Sequence, residues 1–404
     1  RKIAFAFFIY TIVLIFVYPN FIQGVGGWFF DASLIAIIAI SSLAEYFFGM
    51  TYKLLLMADQ RAFITLSAQS IAVVLNFIIC IILMKLGASI HVVKLSTVLV
   101  MLLRPVTQCL YVHKNYHLDK TIKLKNEPIK QKWNGVAQHI AYYVTNNTDT
   151  IVLSLFSTLE NVSVYAIYNM IVNGIRQLIL TLSTGVQAMF GNMLVNQEYD
   201  ELNERFKKFE WLMHTIVVIM FSCVGVLIVP FVSVYTKGIT DANYYQPLFA
   251  ILLTLAQCVY CIRLPYNTMV LAAGHYKQTQ MSAIIEMILN VIISVVLVFN
   301  FGLVGVAIGT LVALSYRTIY LAWYLAHNIL EYELSHFLRC IIIDFLTVLI
   351  IAALTYPLEL RDLSYGSWVI LAFKSIGTIL TVVMIVNFIF NRKHIFEILK
   401  GKIR

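Results

Sequence analysis

The chain has 404 residues, of which 60% are hydrophobic and only 12% are charged. A soluble domain has roughly 45–50% apolar and about 25% charged residues, so this composition excludes a water-soluble globular protein and indicates a polytopic membrane protein. The net charge of +9 indicates a partner only once the positions of the basic residues are known. The six cysteines lie within apolar runs, so no disulfide framework is expected.

Long apolar runs follow one another along the whole chain. A membrane-spanning helix needs about 20 mainly apolar residues, because the hydrocarbon core is about 30 Å thick. Runs of this length suit helices better than the strands of a membrane barrel. The sequence therefore predicts an all-α polytopic membrane protein with about twelve spanning helices, at residues 3–19, 33–57, 63–84, 90–112, 136–157, 162–190, 211–235, 246–272, 278–299, 303–327, 338–357 and 367–390.

The basic residues indicate the orientation of these helices. If residue 1 is inside and the loops alternate, nineteen Lys and Arg lie on the inner side and three on the outer side. The positive-inside rule then predicts that both ends of this chain are cytoplasmic. The basic surplus follows from this topology, so no nucleic-acid partner is expected.

A basic polar stretch suggests how the chain is divided. Residues 113–133 are rich in Lys and are predicted to form a cytoplasmic linker. It separates an N-terminal lobe of four helices, residues 1–112, from a C-terminal six-helix lobe, residues 134–330. Residues 331–404 are predicted to be two appended transmembrane helices and a cytoplasmic tail.

A second polar segment, residues 196–210, has helical periodicity. Leu202, Phe206 and Phe209 fall on one face of a helix there. This pattern predicts an amphipathic helix that lies at the membrane surface.

A weak internal repeat relates the two lobes, with an offset of about 215 residues. The Leu-Asn pair at 75–76 recurs at 289–290, and the turn glycine Gly87 recurs as Gly302. Repeats of equal orientation are a known plan of transporters. Because the first lobe has two helices fewer than the second, we expect two N-terminal helices to be missing from this chain, and about 14 helices in the full-length protein.

Charged residues inside the predicted helices are candidates for function. Each costs at least ~2.5–3.5 kcal/mol at the membrane centre, so it marks either a substrate or ion path or an ion pair between helices. The basic ones are Lys53, Lys94, Arg104, Arg176, Arg263, Arg317 and Lys374, and the acidic ones are Glu45, Asp149, Glu286 and Asp344.

The sequence offers no sign of catalysis. We find no His, Cys, Asp or Glu cluster with metal-ligand spacing and no Gly-rich phosphate loop with Lys and Ser or Thr. The chain is therefore not expected to be an enzyme or to hold a metal or cofactor.

Several motifs resemble the Wzx-type polysaccharide and O-antigen flippases of the multidrug/oligosaccharidyl-lipid/polysaccharide (MOP) exporter superfamily. The resemblance covers most of the chain and is most specific in 134–327. The matching runs are Asn146 to Leu153, Val162 to Tyr168, Gly191 to Met193, Pro230 to Thr236, Asp241 to Tyr244, Ala272 to His275, and Glu286 and Asn290 followed by Gly302 to Thr310 and Tyr316-Arg317.

The resemblance implies a MATE-like bundle with two lobes around a central cavity. It also implies transport of undecaprenyl-diphosphate-linked oligosaccharide across the bacterial inner membrane by alternating access, for capsule or O-antigen export. Membrane lipids and the polysaccharide polymerase and export machinery are the partners expected of such a protein. The family supplies no catalytic motif.

This substrate suggests roles for the charged candidates, since Arg and Lys suit phosphate. We expect the substrate-binding cavity to include Arg263, Lys53, Arg176, Arg317, Arg104 and Asn290. Coupling to an H⁺ or Na⁺ gradient would use Asp149, Glu45 and Glu286. The alternative for the acids is that they neutralise the buried bases, and for Asn290 that it holds helices together.

Three other functions remain open from the sequence. A multidrug or toxin antiporter would favour a cavity lined by acids, and the seven intramembrane bases oppose it. A peptidoglycan-precursor flippase of the same superfamily would share the diphosphate. A membrane polysaccharide polymerase or ligase would be expected to carry a large outer loop, and the predicted outer loops are short.

Overall fold

The structure is a computed structural model that describes residues 2–21, 27–59, 61–116, 132–184, 186–330 and 333–392. Every regular element in these residues is a helix, which confirms the predicted all-α fold class. The chain divides into two compact units, Arg1–Asn126 and Glu127–Arg404. Residues 117–131 of the predicted linker lie outside the described residues.

The first unit begins with a long helix and ends with a helix broken near a proline. Pro105 follows the break between the last two helices, and it cannot donate the backbone hydrogen bond that would join them. Residues Trp28–Met57 form one continuous helical stretch, which includes a π-helical segment at Glu45–Gly49. The helices are α1 (Lys2–Phe21), α2 (Trp28–Ala44), α3 (Met50–Ala58), α4 (Ala62–Lys85), α5 (Ile90–Met101) and α6 (Leu103–Asn115).

The second unit contains the six-helix lobe predicted for 134–330 together with the appended pair. Its largest hydrophobic core joins buried side chains from α7 to α14. The helices are α7 (Lys132–Phe156), α8 (Leu159–Thr184), α9 (Val186–Val195), α10 (Tyr199–Tyr235), α11 (Pro247–Ile262), α12 (Leu264–Ala272), α13 (Tyr276–Asn328), α14 (Leu334–Thr355) and α15 (Tyr365–Phe390).

Nine helices or continuous helix pairs in the described residues are long and apolar enough to cross a membrane. Their outer surfaces carry large exposed apolar side chains, for example Phe29 at 79% and Phe373 at 75% exposure. Such surfaces suit lipid and not water. The predicted span at 3–19 corresponds to a shorter apolar helix, Ala4–Asn20. The polar α7, predicted to span at 136–157, is not among the nine.

Helix α13 is two antiparallel arms joined at Gly302. This glycine has φ +52°, a left-handed backbone conformation that side chains other than glycine rarely adopt. The arms are tied by a hydrogen bond of 3.1 Å from Asn290 Nδ2 to Thr310 Oγ1. The two arms match the predicted helices 278–299 and 303–327. Gly87, its proposed counterpart in the first unit, also has a positive φ, +73°.

The arms of α13 approach each other closely because small residues line their contact. A Cβ added at Gly305 would lie 2.4 Å from the carbonyl oxygen of Leu297, and one at Gly309 would lie 2.3 Å from Ser294 Oγ. Only glycine fits at such a distance, so these two positions set the spacing of the hairpin.

The amphipathic segment 196–210 differs from its prediction. Most of it forms the first turns of α10, and its apolar face is buried within the unit. Phe206 packs against Phe190 of α9 and Tyr266 of α12, with ring centroids 6.2 and 6.0 Å apart. The expectation that this face lies on the membrane surface is therefore wrong, because α9 and α12 cover it.

The appended helices α14 and α15 pack against α10. Val218 of α10 forms a small apolar cluster with Ile351 of α14 and Ile379 of α15. Trp211 Nε1 donates a hydrogen bond of 2.7 Å to Asn387 Oδ1 of α15. The pair thus belongs to the same compact unit as α7 to α13.

We expect Gly305→Ala to destabilise the protein by about 1–3 kcal/mol, because the added methyl group meets backbone atoms that cannot move aside. Thermal unfolding of the purified chain in detergent measures this as a fall in Tm. The matched control is Gly225→Ala in α10, where an added Cβ meets nothing within 4 Å. Equal Tm values for the two variants would show that the close contact between the α13 arms does not limit stability.

Candidate functional site

A small polar cavity lies inside the second unit. It has a volume of about 20 Å³, roughly enough for one water molecule. Side chains from α7, α8, the α11–α12 break and both arms of α13 line it, among them Asn146, Asp149, Arg176, Tyr260, Arg263 and Glu286. We call this set of residues, with Arg317, Asn290 and the cavity residues Thr310, Tyr165 and Gln257, the polar site.

Glu286 lies between two arginines. Arg263 Nη1 donates to its Oε1 at 2.5 Å, and Arg317 Nη1 donates to its Oε2 at 2.7 Å. All three side chains are buried. Arg263 reaches this position from the break between α11 and α12. The break lies two residues before Pro265, which cannot donate a helical hydrogen bond to α11.

The guanidinium of Arg263 also stacks on an aromatic ring. Its Cζ lies 4.6 Å from the centroid of the Tyr260 ring, and Arg176 Cζ lies 5.1 Å from the same centroid. One tyrosine thus contacts two cations, which stabilises both by cation–π attraction.

Arg176 differs from the other two arginines in its partners. Its Nη1 donates to the amide oxygens of Asn146, at 2.8 Å, and Gln257, at 3.0 Å. Its Nε is buried without a hydrogen bond. Among the described residues, no carboxylate forms an ion pair with it. Arg176 is therefore a half-buried cation held by neutral groups.

Asp149 also has neutral partners. Thr310 Oγ1 donates to its Oδ1 at 2.7 Å, and Tyr165 OH donates to its Oδ2 at 3.1 Å. Asn290 donates in turn to Thr310, and its own Oδ1 is buried without a hydrogen-bond partner. Several oxygen atoms thus surround a buried carboxylate, the kind of group that hard cations or protons bind.

The polar site carries an excess of positive charge. Within it, the described residues supply three guanidiniums, Arg176, Arg263 and Arg317, and two carboxylates, Asp149 and Glu286. A buried excess of one positive charge attracts anions more strongly than the same charge in water, because the surroundings screen it less.

No family profile matches the sequence, and no curated protein matches it either. Among solved structures, the chain is similar to the lipid II flippase MurJ in an inward closed conformation. The TM-score is 0.66 at 16% identity, over 98% of this chain and 83% of that chain.

Two further solved structures match with lower scores. One is a MOP superfamily transporter from Pyrococcus furiosus, with a TM-score of 0.43 at 13% identity over 63% of each chain. The other is a multidrug resistance MATE family transporter of the MOP superfamily in an outward-facing conformation, with a TM-score of 0.37 at 14% identity over 63% of each chain.

The likeness to the lipid II flippase shows the fold of this chain. The fold is that of a multi-pass helical membrane protein, which confirms the fold class expected from the sequence. At this level of identity the likeness carries no site residues over, so the site rests on its own geometry.

Six of the nine predicted site residues come together in the polar site. They are Arg263, Arg176, Arg317, Asn290, Asp149 and Glu286. The sequence pattern did not indicate the uncharged residues that hold them, chiefly Tyr260, Gln257, Thr310 and Tyr165. Gln257 was the most visible signal, because it is a polar residue in the apolar run of α11.

The other three predicted residues belong to the first unit. Arg104 forms an ion pair with Glu45, with Nη2 to Oε1 at 2.7 Å and Nε to Oε2 at 3.2 Å. Lys53 is half-buried on α3. This unit thus has an arginine–carboxylate pair of its own, at the start of the π-helical segment.

We expect Glu286→Gln to cost about 3–5 kcal/mol, because it leaves two buried guanidiniums without their common carboxylate. Thermal unfolding in detergent measures the loss. Glu201→Gln is the control, since it removes the carboxylate of an exposed pair with Arg205, which contributes about 0.3–0.5 kcal/mol. A Glu286→Gln variant as stable as Glu201→Gln would contradict the role of Glu286 as a clamp.

Proposed function

We propose that this chain is a MOP superfamily flippase of the Wzx type. It moves undecaprenyl-diphosphate-linked oligosaccharide from the inner to the outer leaflet of the bacterial inner membrane, for surface polysaccharide export. Three lines support the proposal: the motif resemblance, the flippase-like fold and the excess positive charge of the polar site. In this proposal both chain ends are cytoplasmic, and the polymerase and export machinery act on the delivered product.

The observation that carries the proposal is Arg176. Arg263 and Arg317 each donate to the carboxylate of Glu286, which occupies part of both donor forks and offsets one of their two positive charges. Arg176 is bound instead to two amide oxygens, so its charge is available to an anion. Its planar donor fork suits phosphate oxygens, and such bonds are strong when the site excludes water.

The cavity beside Arg176 is too small for a diphosphate in this conformation, since it has room for about one water. The proposed cycle therefore includes a state in which the polar site opens. Arg176 and its amide partners lie on α8, α7 and α11, so a shift among these helices would expose the guanidinium to a headgroup.

We expect Arg176→Gln to slow transport by about 10- to 100-fold, because a charge-assisted bond to phosphate contributes about 1.5–3 kcal/mol. The measurement uses purified protein in lipid vesicles containing a labelled undecaprenyl-diphosphate oligosaccharide, with a membrane-impermeant reagent that detects the headgroup. Arg176→Lys should keep part of the activity. Arg205→Gln, which removes an exposed arginine, should keep all of it.

Full transport by folded Arg176→Gln would contradict the anion site while leaving the transporter fold intact. Loss of transport with loss of Tm would instead indicate a structural role for Arg176, so the melting temperature of each variant is measured alongside.

A second candidate is a peptidoglycan-precursor flippase, because the solved structure with a TM-score of 0.66 is a lipid II flippase. Both substrates carry the diphosphate, so the Arg176 variants do not separate them. The same vesicle assay, with lipid II in place of the oligosaccharide lipid, separates the two candidates. Transport of lipid II alone would favour this second candidate, whereas a cationic drug antiporter would move neither lipid.

We propose Asp149 as the group that couples transport to an H⁺ or Na⁺ gradient. Glu286 and Glu45, the other predicted coupling acids, are each paired with arginine, which favours their alternative role of neutralising buried bases. Asp149 accepts only hydroxyl hydrogen bonds among the described residues, so it can exchange a cation without breaking an ion pair.

Asp149→Asn should therefore abolish any stimulation of transport by an imposed H⁺ or Na⁺ gradient. Vesicles with and without each gradient measure the stimulation, and Asp241→Asn in an exposed loop is the control. This role would be overturned if neither gradient changed the rate of wild-type transport. It would also be overturned if a gradient still stimulated transport by the Asp149→Asn variant.

A further inference from the structure

A second group of polar side chains lies between α10 and α14, and the proposed function does not use it. A cavity of about 40 Å³ is lined there by His214, His336, Cys340 and Asp344, among others. None of these residues lines the polar site. Glu210 of α10 reaches the same group, because its Oε2 lies 3.3 Å from His336 Nε2.

Three of these side chains present metal-ligating atoms to one another. The carboxylate of Glu210, His336 Nε2 and Cys340 Sγ lie within 4.8 Å of one another. His336 Nε2 is 3.8 Å from Cys340 Sγ and 3.3 Å from Glu210 Oε2. Zinc bond lengths of 2.0–2.3 Å at a tetrahedral angle place ligand atoms roughly 3.3–3.6 Å apart. The observed separations are therefore close to those of a zinc site.

The secondary structure explains why these atoms meet. His336 and Cys340 are four residues apart on α14, so they share one face of the helix. That face is directed at Glu210 on α10. The hydroxyl of Tyr266 on α12 donates to Glu210 Oε1, which leaves Oε2 on the side of His336. A group that orients a ligating carboxylate in this way is a regular feature of metal sites.

We propose that Glu210, His336 and Cys340 bind a divalent transition metal ion, with Zn²⁺ as the best fit. A thiolate together with an imidazole selects zinc over magnesium or calcium, which prefer oxygen ligands. Three protein ligands leave a fourth position for water. Cys340 loses its thiol proton on binding, so the ion forms a Zn–S bond and one proton passes to solvent.

The ion would join the appended helix pair to the six-helix lobe. Glu210 belongs to α10, whereas His336 and Cys340 belong to α14. Without metal, the same residues keep a His336–Glu210 contact of 3.3 Å beside a packed cysteine. This contact is the alternative that the experiment has to separate from a metal site.

The test uses full-length chain in detergent, with its affinity tag removed, reduced and stripped of metal. Zn²⁺ alone is added, the chain is dialysed, and bound metal is counted by mass spectrometry. Co²⁺ alone is added in a parallel sample, where a thiolate-to-cobalt charge-transfer absorption reports a Cys ligand. We expect about one ion per chain, a cobalt–thiolate absorption, and a higher Tm with Zn²⁺.

Cys340→Ser and His336→Gln should each weaken Zn²⁺ binding at least tenfold, and Cys340→Ser should remove the cobalt–thiolate absorption. The matched control is Cys109→Ser. Cys109 and His113 are also four residues apart on one helix, with Sγ 3.5 Å from Nδ1, but no carboxylate joins them in the described residues. This control should bind Zn²⁺ as the wild type does.

Size-exclusion chromatography checks that each variant is folded. If Cys340→Ser does not fold, the His336→Gln variant alone tests the site. Wild-type chain that binds no Zn²⁺ under these conditions would overturn the proposal and favour a simple His336–Glu210 contact. Metal binding that survives Cys340→Ser and His336→Gln, or that is lost in Cys109→Ser, would overturn it as well.

Discussion

The polar site depends on the double pairing of Glu286. Burying an ion is costly unless it is paired and its hydrogen-bonding groups are satisfied, and this carboxylate satisfies one arginine with each oxygen. The three charges come from the α11–α12 break and from the two arms of α13. Their pairing therefore fixes one helix break against one helical hairpin. Asp149 contacts this framework through Thr310 of α13, and Arg176 lies beside it on the Tyr260 ring that Arg263 also contacts.

The framework in turn depends on how closely the arms of α13 approach. Glycines at 305 and 309 bring the arms into backbone contact, and this closeness allows Asn290 to reach Thr310 and Glu286 to reach Arg317. Thr310 then reaches across to Asp149 on α7. A few small residues thus determine the distances on which the charged ones rely.

The sequence predicted much of this architecture, because apolar length is a local property. The helices, the turn at Gly302 and the charged candidates could all be found from runs and single residues. The pairings could not, since Arg263 and Arg317 lie 23 and 31 positions from Glu286 and the partner of each depends on tertiary packing. The proposed zinc ligands were missed for the same reason. His336 and Cys340 have helical spacing, but the third proposed ligand, Glu210, lies on another helix.

The arginines of the polar site suit two different tasks, and their partners explain why. An arginine paired with a buried carboxylate is costly to separate, because both charges would be left in a low dielectric, so Arg263 and Arg317 suit a rigid clamp. An arginine held by amides can exchange them for a phosphate, because the exchange replaces neutral acceptors with a charged one and leaves no buried carboxylate unpaired. The proposed flippase must also release its substrate. The amide oxygens of Asn146 and Gln257 can accept hydrogen bonds from Arg176 again when the anion leaves. The contacts that hold Arg176 in the absence of substrate would therefore also favour release of the anion.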